Sequence, residues 1–279
     1  MEKYLGKRHR ILKVVAIASI GFGLGMLLHL KLETDPPNQP APEKQALSSA
    51  DAIAPIQQPA KTLPIAFPVP AKFAGKTFYD VKLDNKEKVV TLTIDDGPQV
   101  PETPQFLDIL KSHNVKATFF VVGKAVEAHP EIFQRIVAEG HAIGNHTWHH
   151  RYRRMSRATA RSEIERTAEI IHKTTGVKTE FFRPPGGFLN NGLAAYAKSQ
   201  KQAVVMWSVT TADTDPRAKP EAFVNNVLKS TKPGSIILMH DGGGDRSRSV
   251  KALPGIISGL KQKGYRFVTL PELLEMSSR

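Results

Sequence analysis

The strongest constraint in this sequence is an alternation. Beyond Gly75, short apolar runs rich in β-branched residues are followed repeatedly by amphipathic stretches with helical spacing. The runs predict strands at Val89 to Ile94, Ala117 to Val122, His141 to Gly144, Glu180 to Phe182, Ala203 to Trp207, Ser235 to Met239 and Tyr265 to Val268. Between and after them, helices are expected around Thr103 to Ser112, Pro130 to Glu139, Ser156 to Lys173, Asn190 to Ser199, Pro220 to Ser230 and Val250 to Lys261. Such alternation folds as a parallel α/β domain, either a barrel or an open sheet. Polar clusters recur just past the C-terminal ends of the runs. In a barrel those ends converge on one face, where separate clusters become a single site.

The N-terminal part reads differently. Lys3, Lys7, Arg8, Arg10 and Lys13 precede an apolar run from Val14 to Leu28. A basic cluster before an apolar run is an export signal, which leaves the basic end in the cytoplasm and sends the following chain outward. The run is short for a full span, which suits a cleaved signal peptide, whereas the lack of a small-x-small site soon after Leu32 suits an uncleaved anchor. The anchor is the favoured expectation. From Asp35 to about Lys72 the chain is rich in Pro, Ala and Gln, as in an extended spacer that holds a domain away from a bilayer. The expected organisation is thus a signal anchor or signal peptide over 1–32, a Pro/Ala-rich linker over 33–75 and one catalytic domain over 76–279.

The 279 residues include no cysteine, so disulfides and thiolate metal sites are excluded and any metal must be held by His, Asp or Glu. Five basic residues and one acidic residue precede Leu30, and four of each lie between Lys31 and Gly75, so about +9 of the net +13 belongs to the domain. A basic surface attracts anionic polymers in general. No basic recognition helix and no interleaving of basic and aromatic residues accompanies it, so nucleic acid is not an expected partner.

Five clusters carry chemistry. Asp95 and Asp96 end the first apolar run and are followed by Gly97-Pro98. Adjacent carboxylates at a strand end are costly unless a cation or proton sits between them, so a metal ligand beside a general base is one reading and an ordinary Asp-Gly turn the other. His146 and His150, in Gly144-Asn145-His146-Thr147-Trp148-His149-His150, are spaced to converge on one metal and, with one carboxylate, make an open three-ligand site. His149 competes for a place, but on a helical turn it points away from its neighbour. Arg183, in Phe182-Arg183-Pro184-Pro185-Gly186-Gly187, is a permanent cation able to hold a carboxylate oriented, or a structural cap on carbonyls. Trp207 to Asp213 and Leu238 to Gly242 each follow a run and carry an ionisable residue, and a His from one strand end near an Asp from another can act as a general acid. The run Gly242-Gly243-Gly244-Asp245-Arg246-Ser247 either gates a groove beside His240 or simply connects to the next helix.

Taken in order, these clusters resemble the five motifs of the polysaccharide deacetylases that share the NodB homology domain, carbohydrate esterase family 4. The resemblance extends from about Val89 to Leu270. It implies Asp95 as catalytic base, Asp96, His146 and His150 as metal ligands, and Thr147 as a stabiliser of the histidine loop. It further implies Arg183 as the residue orienting the base, with Pro185, Gly186 and Gly187 along the groove. Gly186 stands where an aromatic residue is usual, so a sugar-contacting wall is lost while a backbone N–H remains for an oxyanion. Thr210 and Thr214 replace the first Asp and the Trp of the fourth motif; Asp213 survives to tether His240, the expected general acid. Leu238 and Trp207 are expected to line the acetyl and sugar pocket.

The resemblance implies a distorted (β/α) barrel with fewer than eight regular units, in keeping with about seven parallel strands. It implies a divalent metal, Zn²⁺ first and Co²⁺ or a similar ion next, and hydrolysis of N-acetyl groups on an extracytoplasmic amino-sugar polymer. Peptidoglycan is the first expected substrate, with chitin-type oligomers or poly-N-acetylglucosamine following. The expected protein is a monomer whose partners are its polysaccharide and, through the N-terminus, the membrane. The rivals are an O-acetyl esterase on xylan-type polymers, which needs the same site, and a catalytically silent polysaccharide-binding module.

Overall fold

The computed structural model describes residues 66–83 and 87–277. The apolar run at 14–28 and most of the expected linker lie outside the described residues, and within them no helix is long and apolar enough to cross a membrane. Eleven short strands are present: β1 (Ala66–Phe67), β2 (Thr77–Phe78), β3 (Val89–Asp95), β4 (Thr118–Val121), β5 (Ala142–Asn145), β6 (Lys178–Thr179), β7 (Phe181–Phe182), β8 (Ala203–Val205), β9 (Val209–Thr210), β10 (Ile236–His240) and β11 (Arg266–Phe267). Eight helices accompany them: α1 (Glu102–Ser112), α2 (Gly123–Ala128), α3 (Pro130–Ala138), α4 (Arg157–Thr175), α5 (Leu193–Ser199), α6 (Pro220–Ser230), α7 (Ser247–Gln262) and α8 (Leu270–Met276).

Nine strands form one sheet in the order β2-β8-β7-β5-β4-β3-β10-β9, with β11 added beside β3, and every pairing is parallel. The segment Ala203–Thr210 pairs at its start with β7 and β2 and at its end with β10, bending the sheet back on itself into a distorted, incompletely closed barrel. The central strand β3 is buried at every position, which is why it reads as a continuous apolar and β-branched run rather than an alternating one. Helices cover the outside through apolar stripes, such as Phe106, Leu107 and Leu110 of α1 facing Leu253, Ile256, Ile257 and Leu260 of α7 in one core cluster.

All seven expected strands and all six expected helices are present, with small shifts at their ends. The sheet is larger than about seven strands because β2 and β9 add two-residue segments, and β1 and β6 form a separate parallel pair. Helix α5 begins at Leu193 rather than Asn190, because Asn191 Oδ1 accepts the Leu193 N–H and Gly192 holds a left-handed conformation at φ 99°. Helices α2 and α8 are too short to show periodicity in the sequence. Residues 66–75, within the span read as linker, include β1 and a turn, with Phe67, Val69 and Phe73 packed against a core cluster.

Candidate active site

Strand β3 ends on Asp95, and the register of its neighbours brings the other clusters to the same end of the sheet: His240 of β10 pairs with Asp95, and Asn145 of β5 pairs with Phe182, next to Arg183. Arg183 is fully buried, a placement tolerable only because its donors are satisfied. Its Nη1 donates to Asp95 Oδ1 at 2.7 Å and Thr93 Oγ1 at 2.9 Å, while Nε and Nη2 donate to the carbonyls of Val205 and Met206 at 3.0 Å each. The guanidinium lies over the Phe120 ring, 4.1 Å from its centroid. Asp95 thus keeps one oxygen on Arg183 and turns the other toward His146, 3.7 Å away.

Asp96, His146 and His150 offer ligand atoms that all lie within 4.8 Å of one another. His146 Nδ1 faces the Arg183 carbonyl at 2.7 Å, and a carbonyl can only accept, so Nδ1 carries the proton and Nε2 presents a lone pair. That lone pair faces Asp96 Oδ1 at 3.3 Å, with His150 Nε2 3.0 Å from the same oxygen. Asp96 Oδ1 is buried with no hydrogen-bond partner. A buried carboxylate oxygen and an imidazole lone pair confront each other, the arrangement a divalent cation resolves, and the oxygen and nitrogen donors suit zinc or a similar ion. Burial opposes the charge on Asp96, but the two imidazoles outweigh it and hold its pKa well below the usual carboxylate range.

The histidine loop is shaped by its own backbone bonds. Thr147 N donates to Asn145 Oδ1, His150 N donates to Thr147 Oγ1, and Thr147 and His150 sit at φ 69° and 55°. His149 turns aside and its Nδ1 pairs with Glu163 Oε1 of α4 at 2.7 Å; Glu163 also accepts the N–H groups of Trp148 and His149.

Across the cleft, His240 Nδ1 faces Asp213 Oδ1 at 2.8 Å, and Asp213 Oδ2 accepts from His240 N and Ser249 Oγ. Burial pulls the His240 pKa down, yet the Asp213 carboxylate more than compensates and leaves it above the ordinary histidine value. Asp213 is likewise pushed up by burial and pulled further down by His240 and Ser249, ending below the usual range. Next in sequence, Asp241 is fully buried, accepts from Thr103 Oγ1 at 2.6 Å, and is driven up to about 7 chiefly by burial.

These groups border one cleft of about 190 Å³, walled also by Gly186, Trp207, Leu238 and Pro184. Two residues expected along the groove do not line it. Pro185 is buried beneath it, and Gly187 serves as a seat for Trp207, whose ring would lie 2.9 Å from a Cβ at that position. The cleft also contains Tyr152, Thr214, Gly243 and Arg246. Of these, only the replacement at Thr214 was visible in a motif; Tyr152 and Arg246 stand in loops where no spacing marks them.

A family model described as polysaccharide deacetylase matches residues 82–205. A peptidoglycan-N-acetylglucosamine deacetylase of Bacillus cereus is 41% identical over 198 residues, covering 69% of this chain and 91% of the relative. The crystal structure of a peptidoglycan N-acetylglucosamine deacetylase in complex with 4-naphthalen-1-yl-N-oxidanyl-benzamide superposes with a TM-score of 0.68 at 40% identity, over 73% of this chain and 94% of that one. The Xyl-CE4 domain of a multidomain xylanase from the hindgut metagenome of Trinervitermes trinervoides superposes with a TM-score of 0.63 at 39% identity, over 69% and 92%. With a relative of this identity matched over nearly its whole length, the chain belongs to the polysaccharide deacetylase family.

Proposed function

We propose that this chain is a metal-dependent deacetylase that removes N-acetyl groups from peptidoglycan, working outside the cytoplasm at the end of its N-terminal segment. The observation that carries the reading is the opposition, across one cleft, of a carboxylate held by a buried arginine and an imidazole held by a buried aspartate. One group is built to take a proton and the other to give one, as amide hydrolysis requires. The names of the relatives favour peptidoglycan as the polymer.

Asp96, His146 and His150 would hold the divalent ion. When bound, it supplies Lewis acidity that polarises the acetamide carbonyl and makes water a stronger acid. Asp95, oriented by Arg183 through Oδ1, presents its other oxygen to accept the proton of the attacking water. The backbone N–H of Gly186, on the cleft wall, is a donor for the charge that develops on the carbonyl oxygen. His240 gives its proton from Nε2 to the departing amine, while Asp213 on Nδ1 keeps the ring oriented. Acetate and a free amino sugar leave. Trp207 and Leu238 shape the pocket for the acetyl group and exclude water from it.

The test is acetate release by the purified chain from peptidoglycan, N-acetylglucosamine oligomers and acetylated xylan, with chelator and with added Zn²⁺. Chelator-sensitive release from the amino-sugar polymers is expected. Release from xylan alone would move the assignment to ester hydrolysis, the reading that the Xyl-CE4 neighbour favours.

A further inference from the structure

Two features of the cleft have no part in these proton transfers. The first is Arg246, half-buried on the wall of the cleft. Its Nε donates to the Gly242 carbonyl at 2.7 Å and its Nη1 to the Asp213 carbonyl at 3.5 Å. Both partners are neutral, Nη2 donates to no protein group, and no carboxylate pairs with this guanidinium among the described residues. Arg183, the other arginine at the site, is by contrast fully committed to Asp95 and to carbonyls. Nor does Arg246 swing freely. Gln99 Nε2 donates to the Gly244 carbonyl at 2.8 Å and its Oε1 accepts the Gly244 N–H, while the Arg246 N–H reaches Glu102 Oε1 at 3.4 Å. The Gly-rich loop is therefore clamped in a way that holds a cation at the cleft with its fork partly open. A planar guanidinium with free donors matches a carboxylate, and a group already held in place loses little freedom on binding one.

The second feature is an aromatic pair. Tyr152 and Phe188 are 55% and 46% exposed, stand edge to face with centroids 5.8 Å apart, and continue from the His150 ring, 5.1 Å from Tyr152. A Cβ placed at Gly186 would lie 2.9 Å from Phe188 and 3.0 Å from Tyr152. The two rings thus occupy the space beside the position where the sequence lacks its aromatic wall. Exposed aromatic faces next to a polar cleft suit the apolar face of a sugar ring.

We propose that Arg246 holds a carboxylate carried by the sugar chain in the cleft, while Tyr152 and Phe188 stack on a ring of that chain, so that the site prefers acidic N-acetylated amino-sugar strands to neutral ones. The proposal rests on the deacetylase reading and specifies its substrate class. The probe is a peptide-free glycan strand of alternating N-acetylglucosamine and N-acetylmuramic acid, whose lactyl groups carry free carboxylates, beside the same strand with those carboxylates methyl-esterified.

With the full chain and added Zn²⁺, acetate release should favour the acidic strand by roughly tenfold or more in kcat/KM, the scale of a charge-assisted hydrogen bond. Arg246→Gln should bring that ratio close to one, chiefly through KM on the acidic strand. Arg246→Lys, which keeps the charge and loses the fork, should fall between. Phe188→Ala should raise KM for both strands alike. A wild-type ratio near one, or an Arg246→Gln protein that loses activity equally on both strands, would overturn the proposal while leaving the deacetylase reading intact. No acetate from either strand would sink that reading and this one with it.

Discussion

Asp95 offers one oxygen to Arg183 and the other to the cleft, so its amide analogue tests the base assignment without disturbing the metal ligands. Asp95→Asn should cut kcat by about 10²–10⁴-fold, the usual contribution of a positioned base, while metal content by elemental analysis stays near wild type. Near-normal turnover would remove Asp95 from that role. His240 has to be protonated to act as the acid, so activity falls as pH rises through its pKa. Asp213 lifts that pKa, and Asp213→Asn should therefore move the basic limb of the kcat/KM profile to lower pH; an unmoved limb would assign it to another group. Asp241 carries the opposite sign for stability. Its folded pKa of about 7 lies above the ordinary 3.8, so the folded state binds the proton more tightly and stability is lost as pH rises from about 4 through 7. One of its oxygens is buried without a partner, a place an amide NH₂ can take at equal size. Asp241→Asn should flatten the pH dependence of the thermal midpoint across this window and leave the protein more stable at pH 8 than wild type, as differential scanning would show.

Strands β4 and β5 build the floor under Arg183, and their contact depends on a missing side chain. A Cβ on Gly144 would fall 2.3 Å from the Phe120 ring, the ring on which the Arg183 guanidinium rests. Gly144→Ala should lower stability by about 1–3 kcal/mol through overpacking, measured by chemical denaturation, and should reduce kcat through the displaced arginine. Full stability in that variant would mean that the ring has room the structure does not show. The same two strands explain what the sequence made legible. Parallel strands buried on both faces must be apolar throughout, so β3, β4 and β10 announce themselves, and the ionisable residues at their ends stand out against that background. Segments of two residues, such as β2 and β9, bury too little to leave a pattern and are fixed by pairing with longer neighbours. Arg246 and Tyr152 escaped for a related reason: loop residues are brought to the cleft by tertiary bonds, such as those from Gln99 and Glu102, that no local spacing encodes. Gly187 and Pro185 illustrate the converse, since a motif can mark residues whose task is to support a wall rather than to form it.

At the level of the whole molecule, the three candidate ligands join parts of the sheet that are not neighbours. Asp96 follows β3 and the two histidines follow or end the turn after β5, with β4 lying between those strands. A bound cation would tie the two loops across that intervening strand, and anything that binds the folded state alone stabilises it by mass action. At a hundredfold excess over the dissociation constant the contribution is about 2.7 kcal/mol, and for a chain of this size each kcal/mol moves the thermal midpoint by roughly 2–4 °C. Chelation of the purified protein should therefore lower its melting temperature by several degrees, and added Zn²⁺ should restore it. His150 is the ligand to remove in the control, because its side chain is 22% exposed whereas that of His146 is 2% exposed and its loss would unsettle the core. His150→Ala should melt near the chelated wild type and show little response to Zn²⁺. If the wild-type midpoint is the same with chelator and with metal, the three groups do not hold a cation, and the confrontation of Asp96 with His146 must be relieved instead by a proton shared between them.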